Sequence, residues 1–363
     1  MPERLKDRFL TRESLGRMAE AVSIAWPHLD RERFLAAVYD SLWPSKELMA
    51  RMRHVTRALH AALPADYSSA LFILRNAAPQ IVGFEALCLS EFVAVYGLDH
   101  FDLSMDALRF FTRFASAEFA VRAFIQQDAP RAMAYMLRWA TDESVDVRRL
   151  ASEGCRPRLP WGVGLSDFKR DPSPILPILE RLRDDPAETV RNSVANNLND
   201  IAKDHPDLVL DLCERWYGHS RRTDWIVRHA LRTLLKAGNP RALRLLGLDS
   251  GAQVTVARFA VTPEWVPIGQ DIEYSFDLVV LQDAPVRVRM ELRVDYARPG
   301  GRTSRKVFQI REAVLPPGTH RVRRKMSLAH RSTRAIFPGL HRLTIVANGQ
   351  EQATVAVEVM PEE

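Results

Sequence analysis

Residues 286–296 read VRVRMELRVDY. Val286, Val288, Met290, Leu292 and Val294 fall on one side of an extended chain, and Arg287, Arg289, Glu291 and Arg293 on the other. A period of two predicts a strand with one face in a core and the other in water. Similar alternation recurs near 254–261, 272–281, 305–314, 319–328, 341–347 and 352–359. Asn348-Gly349, between the last two runs, is a strong hairpin signal. Seven short strands at this spacing predict an immunoglobulin-like β-sandwich over 252–363. No cysteine lies in this part, so the antibody-type disulfide between sheets is not expected.

Upstream the period changes. Leu71, Leu74 and Ala78, then Leu108, Phe111 and Ala115, recur at steps of three and four, the spacing of a buried helical stripe. Breaks fall at Pro64, Pro79, Pro130, Pro172 and Pro240. Residues 1–247 are therefore expected to be helical, with the linker at 247–252. Val-Arg recurs as Val121-Arg122, Val147-Arg148, Val190-Arg191 and Val227-Arg228. The last two intervals suit helical-hairpin repeats of the HEAT type, which bury their apolar faces only by stacking into a solenoid. The expected fold is thus multi-domain α and β, an α-helical HEAT-like solenoid followed by a β-sandwich, with the Val-Arg helices on the concave side. Asp142 and Asp185 each precede a Val-Arg arginine by six residues. Two readings stay open: these arginines form a ladder with aspartates of neighbouring repeats, or they meet a ligand.

Composition bounds the function. The 363 residues are 47% hydrophobic and 26% charged, ordinary for a globular protein of two domains. No apolar run approaches the roughly 18 residues that span a bilayer, and the charged start MPERLKDRFL has no signal-peptide core. Cys88, Cys155 and Cys213 stand apart with no metal-site spacing. Together these features predict a protein of the reducing cytoplasm. HExxH, GxGxxG, GxxxxGK[ST] and GxSxG are all missing from the sequence, so no metal or nucleotide cofactor is expected. Within 286–342 there are 15 basic residues against 3 acidic ones, a net +12. Such density suits a polyanion, nucleic acid first, or else a solubilising face.

Three segments stand out in the helical part. In TRFASAEFAVRAFIQQ (112–127), Ser116 is placed to cap a helix whose first turn carries Glu118, four residues before Arg122. In VRRLASEGCRPRLPWGVGL (147–165), a helix runs into Glu153-Gly154 and then a stiff loop follows. The loop carries Arg156, Arg158 and Trp161 among Pro157 and Pro160. In VRNSVANNLNDI (190–201), Asn196, Asn197 and Asn199 sit on a helix, where asparagine is a poor helix former. Their amides either donate to DNA or bond inside the solenoid.

SAEFAVRAFI (116–125), LASEGCRPRLPWG (150–162) and VRNSVANNLNDIAKDHP (190–206), in this order, resemble the AlkC branch of the AlkC/AlkD DNA glycosylases. WIVRHALRTLLKAG (225–238) fits as a further repeat, so the resemblance covers most of 116–238. A subgroup of that family carries an added immunoglobulin-like domain, matching 251–363. The resemblance implies excision of 3-methyladenine and 3-methylcytosine from duplex DNA without flipping the base. It gives catalytic roles to Glu118, Glu153 and Trp161. A cationic base is already a good leaving group, so no metal is required. Positive charge then develops on the deoxyribose, where a carboxylate and an indole face stabilise it. Phosphate contacts are expected from Arg148, Arg156, Arg158, Lys169, Arg191 and Arg228, with Arg122, Asn196 and Asn197 as further DNA contacts. In the β part, Arg302, Arg305 and Lys306 are expected on DNA, near Arg321, Arg323, Arg324 and Lys325. The implied partner is double-stranded DNA with alkylated bases; no membrane and no obligate protein partner is expected. The competing readings are a non-catalytic DNA-binding module and a HEAT-type protein adaptor.

Overall fold

The computed structural model of the chain describes residues 8–248, 251–331 and 334–362. It divides into two compact units, 1–209 with 215–230, and 210–214 with 231–363.

The first unit is built of helices. Short polar side chains start several of them: Thr11, Asp30, Asp66 and Asp128 each accept a backbone N–H of the first turn. The Val-Arg motif marks one helix of each repeat. The helices Val145–Glu153, Glu188–Ile201 and Arg221–Ala230 pack side by side in that order. Val121, Val147, Val190 and Val227 are all fully buried, so the valine of the motif belongs to the core that stacking creates.

The aspartates that precede these helices shape their entry. Asp142 accepts from the amide of Ser144 at 2.9 Å and Asp185 from that of Ala187 at 2.8 Å, the two-residue side-chain turn typical of Asp. Arg148 then donates back to the carbonyls of Asp142 and Glu143, and Arg191 to those of Asp185 and Pro186. Between repeats, Arg109 Nε lies 2.6 Å from Asp142 and Arg148 Nε 2.6 Å from Asp185. This is the ladder geometry.

The second unit holds the sandwich. Among the described residues eight strands form: β1 (Val254–Thr262), β2 (Trp265–Pro267), β3 (Asp271–Val280), β4 (Val286–Ala297), β5 (Thr303–Leu315), β6 (Gly318–Ser327), β7 (Gly339–Ala347) and β8 (Gln350–Met360). One sheet has the order β1-β3-β6 and the other β2-β8-β7-β4-β5. The seven expected runs are all strands. The eighth, β2, is three residues long, too short to show alternation, and pairs in parallel with β8. Phe276, Leu278, Val288, Leu292, Val294, Leu343, Ile345 and Val357 fill the space between the sheets. Asn348 (φ 46°) and Gly349 (φ 77°) both take the left-handed conformation that a type I′ turn requires.

Two expectations change here. The helices Arg232–Lys236 and Pro240–Leu245 belong to the compact unit of the sandwich, so that unit begins before the change of period. A Cβ on Gly349 would come within 2.6 Å of Leu243 Cδ1, which shows how closely the second helix meets the β7–β8 turn. The other change concerns the polar side of β4, where Arg289 and Glu291 are buried rather than solvated. They pair at 2.8 Å, and Arg287 donates to the Leu246 carbonyl. Burial raises the Glu291 carboxyl above the usual range, with Arg289 opposing it. Residues 249–250 of the expected linker lie outside the described residues.

Candidate functional site

Glu118 is not in a helix. The helix of this segment is Val121–Gln127, and Glu118 sits in the turn before it. Ser116 Oγ donates to Glu118 Oε2 at 2.7 Å, so the serine serves the carboxylate and not a helix end. The cation on Glu118 is Arg149, with Nη1 2.8 Å from Oε2. The expected i,i+4 partner, Arg122, has no bond to it, because Arg122 points into the protein.

Glu153 ends the helix Val145–Glu153. Its Oε1 accepts from Arg156 Nη1 at 2.6 Å and its Oε2 from Ser193 Oγ at 2.6 Å. Arg149 Nη2 lies 4.0 Å from Oε1. One guanidinium, Arg149, therefore borders both carboxylates, although they are 35 residues apart in sequence. The network continues through Arg156 to Asp200, at 2.9 Å from both Nε and Nη2, and on to Lys203 at 3.1 Å. Acid and base alternate along it, so each buried charge has a neighbour of opposite sign.

The Glu188–Ile201 helix supplies the far wall. Ser193 meets Glu153, Asn197 Nδ2 donates to the Ser152 carbonyl at 2.8 Å, and Asp200 meets Arg156. The spacing of four and then three puts all three on one face. Asn199 donates to the Ala230 carbonyl in the next repeat. Ser193, Asp200 and Arg149 are parts of the site that sequence reasoning missed. Polar residues at i, i+4 and i+7, on one face of that helix, were the signal that marked the first two.

The 154–165 loop leaves the helix at Gly154. That glycine is helical (φ −64°), so it is not a left-handed stop. A Cβ there would lie 2.5 Å from Val121 Cγ1, and close packing is what requires glycine. Further on, Gly162 N donates to the Leu159 carbonyl and Leu165 N to that of Pro157. Between these turns Trp161 is 65% exposed and has φ +64°. A bulky residue in that region costs on the order of 1–3 kcal/mol and persists only where its surroundings impose it. The loop thus presents the indole to solvent.

The expected DNA contacts fall into three groups. Arg122, Arg156 and Asn197 are corrected: all are buried and donate to carbonyls or carboxylates, although Arg122 Nη2 has no hydrogen-bond partner among the described residues. Arg148 and Arg191 hold the repeat ends as described, and Arg148 is salt-bridged to Asp185. Arg158, Lys169, Asn196 and Arg228 keep partial exposure. Arg158 pairs with Asp204 at 2.6 Å, and Arg228 Nη2 donates to Tyr217 Oη at 3.2 Å. In the β-sandwich Arg302 is exposed, Lys306 is half-buried, and Arg305 forks onto Asp295 at 2.7 and 3.2 Å. The net +12 stretch is less available than its count suggests, because Arg287, Arg289, Arg293 and Arg323 also face carboxylates. No helix among the described residues is long and apolar enough to cross a membrane.

Residues 110–234 match the family model described as DNA alkylation repair enzyme, and residues 255–361 match one described as the C-terminal Ig-like domain of the uncharacterised protein YhaZ. The chain is 39% identical over 348 residues to the uncharacterized protein YhaZ of Bacillus subtilis (strain 168), covering 96% of this chain and 97% of that one. It is also similar to the Pseudomonas fluorescens alkylpurine DNA glycosylase AlkC, solved bound to DNA containing an abasic site analog. That similarity has a TM-score of 0.95 and 38% identity, over 99% of this chain and 100% of the other.

Proposed function

This chain belongs to the DNA alkylation repair enzyme family, in its AlkC group of DNA glycosylases, and we propose that it releases cationic alkylated bases, 3-methyladenine and 3-methylcytosine, from duplex DNA. The observation that carries this reading is the convergence of Glu118 and Glu153 on Arg149, beside the loop that carries the exposed Trp161.

The chemistry follows from the substrate. A base alkylated at N3 carries positive charge and departs as a neutral molecule, so little protonation is needed. The barrier lies in the positive charge left on the deoxyribose. Fixed carboxylates near that carbon stabilise it without reorganising. An indole face adds about 0.5–2 kcal/mol of cation–π attraction. Glu153 has both oxygens engaged, whereas the Ser116 hydrogen bond and the Arg149 ion pair both fall on Glu118 Oε2. We assign Glu118 Oε1 to the attacking water, which needs a hydrogen-bond acceptor within about 3 Å, and Glu153 to electrostatic stabilisation.

DNA reaches this site as the duplex backbone, gripped by the cations that keep exposure, among them Arg158 and Lys169. The lesion is met from outside the helix, with bending in place of extrusion of the base; bending costs a few kcal/mol, roughly. The β-sandwich serves as a second DNA contact. The test is single-turnover incubation with methylated duplex DNA, scored for free base and abasic sites. Release of both bases supports the reading. DNA binding without release of either points to a non-catalytic binder, and absence of salt-dependent DNA binding points to a protein adaptor.

A further inference from the structure

Arg122 is among the most completely enclosed side chains of the protein, at 1% exposure, yet among the described residues no carboxylate bonds to it. Its guanidinium spans the two ends of the 154–165 loop. Nη1 donates to the carbonyls of Gly154 and Arg156 at 2.9 Å each, and Nε to that of Val163 at 2.6 Å. Two of these acceptors lie before Trp161 and one lies two residues after it. Within the loop, Pro157 and Pro160 carry no N–H, and the internal bonds are those of the Gly162 and Leu165 amides already described, with Arg156 N on the Glu153 carbonyl. Trp161 within it is both exposed and left-handed, a conformation that must be imposed from outside.

We propose that Arg122 is a positioning residue for base release: it ties the ends of the loop together and so fixes Trp161 where the indole meets the damaged nucleotide. The proposal rests on Trp161 belonging to the glycosylase site. Arginine suits the task because its planar fork presents several N–H groups in fixed directions, while a lysine ammonium on a flexible stem does not reproduce that span. The desolvation that pushes the Arg122 guanidinium down to about 10 still leaves it charged at neutral pH, and three carbonyl dipoles face that charge.

Three readouts in the full chain test this, using Arg122→Lys, Arg122→Gln, Trp161→Ala and the double variant Arg122→Lys/Trp161→Ala. In the first, Arg122→Lys slows single-turnover release of 3-methyladenine by about tenfold or more, as expected of a misplaced contact, while DNA affinity stays within about threefold because phosphate contacts dominate it. In the second, amide exchange rises in a peptide covering 155–165, including the Gly162 and Leu165 amides, and not across the Glu188–Ile201 helix. In the third, the double variant is no slower than Trp161→Ala alone, as residues acting through one another are non-additive.

Multiplying losses overturn the proposal, as does an unchanged rate with unchanged exchange in the loop. Exchange that rises throughout the helices, or failure of both the Lys and the neutral Gln variant to fold, shows a general structural role and also overturns it. If the wild-type chain releases no base, the proposed function fails, and the exchange measurement then decides on its own whether Arg122 clamps the loop.

Discussion

Arg149 Nη1 lies 2.8 Å from Glu118 Oε2, joining the turn before one helix to the helix that follows two elements later. That bond brings together two acids that the sequence keeps far apart. It holds Glu118 by ion pairing to a half-buried guanidinium, so substitutions of the acids test charge in a fixed geometry.

Glu118→Gln and Glu153→Gln keep shape and remove charge. Each should slow release of 3-methyladenine by about 10²–10³, the usual loss for one preorganised electrostatic contact, with DNA affinity changed far less. Trp161→Ala should also slow release, and its exposure argues that little of that loss comes from the core. Single-turnover rates together with binding isotherms check this. Two glutamine variants that are folded, DNA-bound and within about threefold of wild type would show that the acids are misassigned.

Arg148→Ala should act on stability rather than on DNA. It leaves Asp185 buried and without its charged partner, for which about 3 kcal/mol is expected. The slope of log affinity against log salt should stay where it is. Urea unfolding and a salt titration measure the two effects separately. A flattened slope at unchanged stability would move Arg148 back to the DNA interface.

The β-sandwich offers a graded comparison. Arg302 is exposed, while the neighbouring Arg305 is forked onto Asp295. If the domain contacts DNA through this turn, Arg302→Ala should reduce the salt slope by about 0.9, the value for one phosphate contact. Arg305→Ala should reduce it by less, since Asp295 already holds that cation. Equal slopes in the wild type and both variants would assign this turn another role.

His341 makes the sandwich sensitive to acid. It is fully buried against Tyr296, its Nε2 lies 2.9 Å from the Phe337 carbonyl, and Nδ1 has no hydrogen-bond partner among the described residues. Burial holds its pKa below the ordinary 6.5, with the Phe337 carbonyl and Glu358 opposing. The unfolded chain therefore binds the proton first, and stability is lost as pH falls below about 6.5 toward the folded value. The loss attributable to His341 is at most about 1.4 kcal/mol per pH unit. Urea unfolding at pH 7 and pH 5 should show a smaller difference for His341→Gln than for wild type. An equal difference would assign the acid sensitivity to other groups.

Local pattern fixed the elements. The period of two from Val254 onward marked seven strands, Asn348-Gly349 marked their last hairpin, and the Val-Arg valines marked the stacked helices, because side-chain direction along a strand or helix depends on the backbone period alone. Glu118, Glu153 and Trp161 stood out by composition and by family resemblance. The partner of each charge was a different matter. Val-Arg occurs four times in the helical part, yet Arg122 is buried on carbonyls, Arg148 pairs with Asp185 and Arg228 meets Tyr217. Glu118 meets Arg149 rather than Arg122, and the polar side of β4 is covered where alternation predicted water. Most of those outcomes depend on which faces meet across roughly one repeat of sequence. Burial, and with it the choice between a structural ion pair and a free cation, is set by the neighbour that packing brings, which no local spacing encodes.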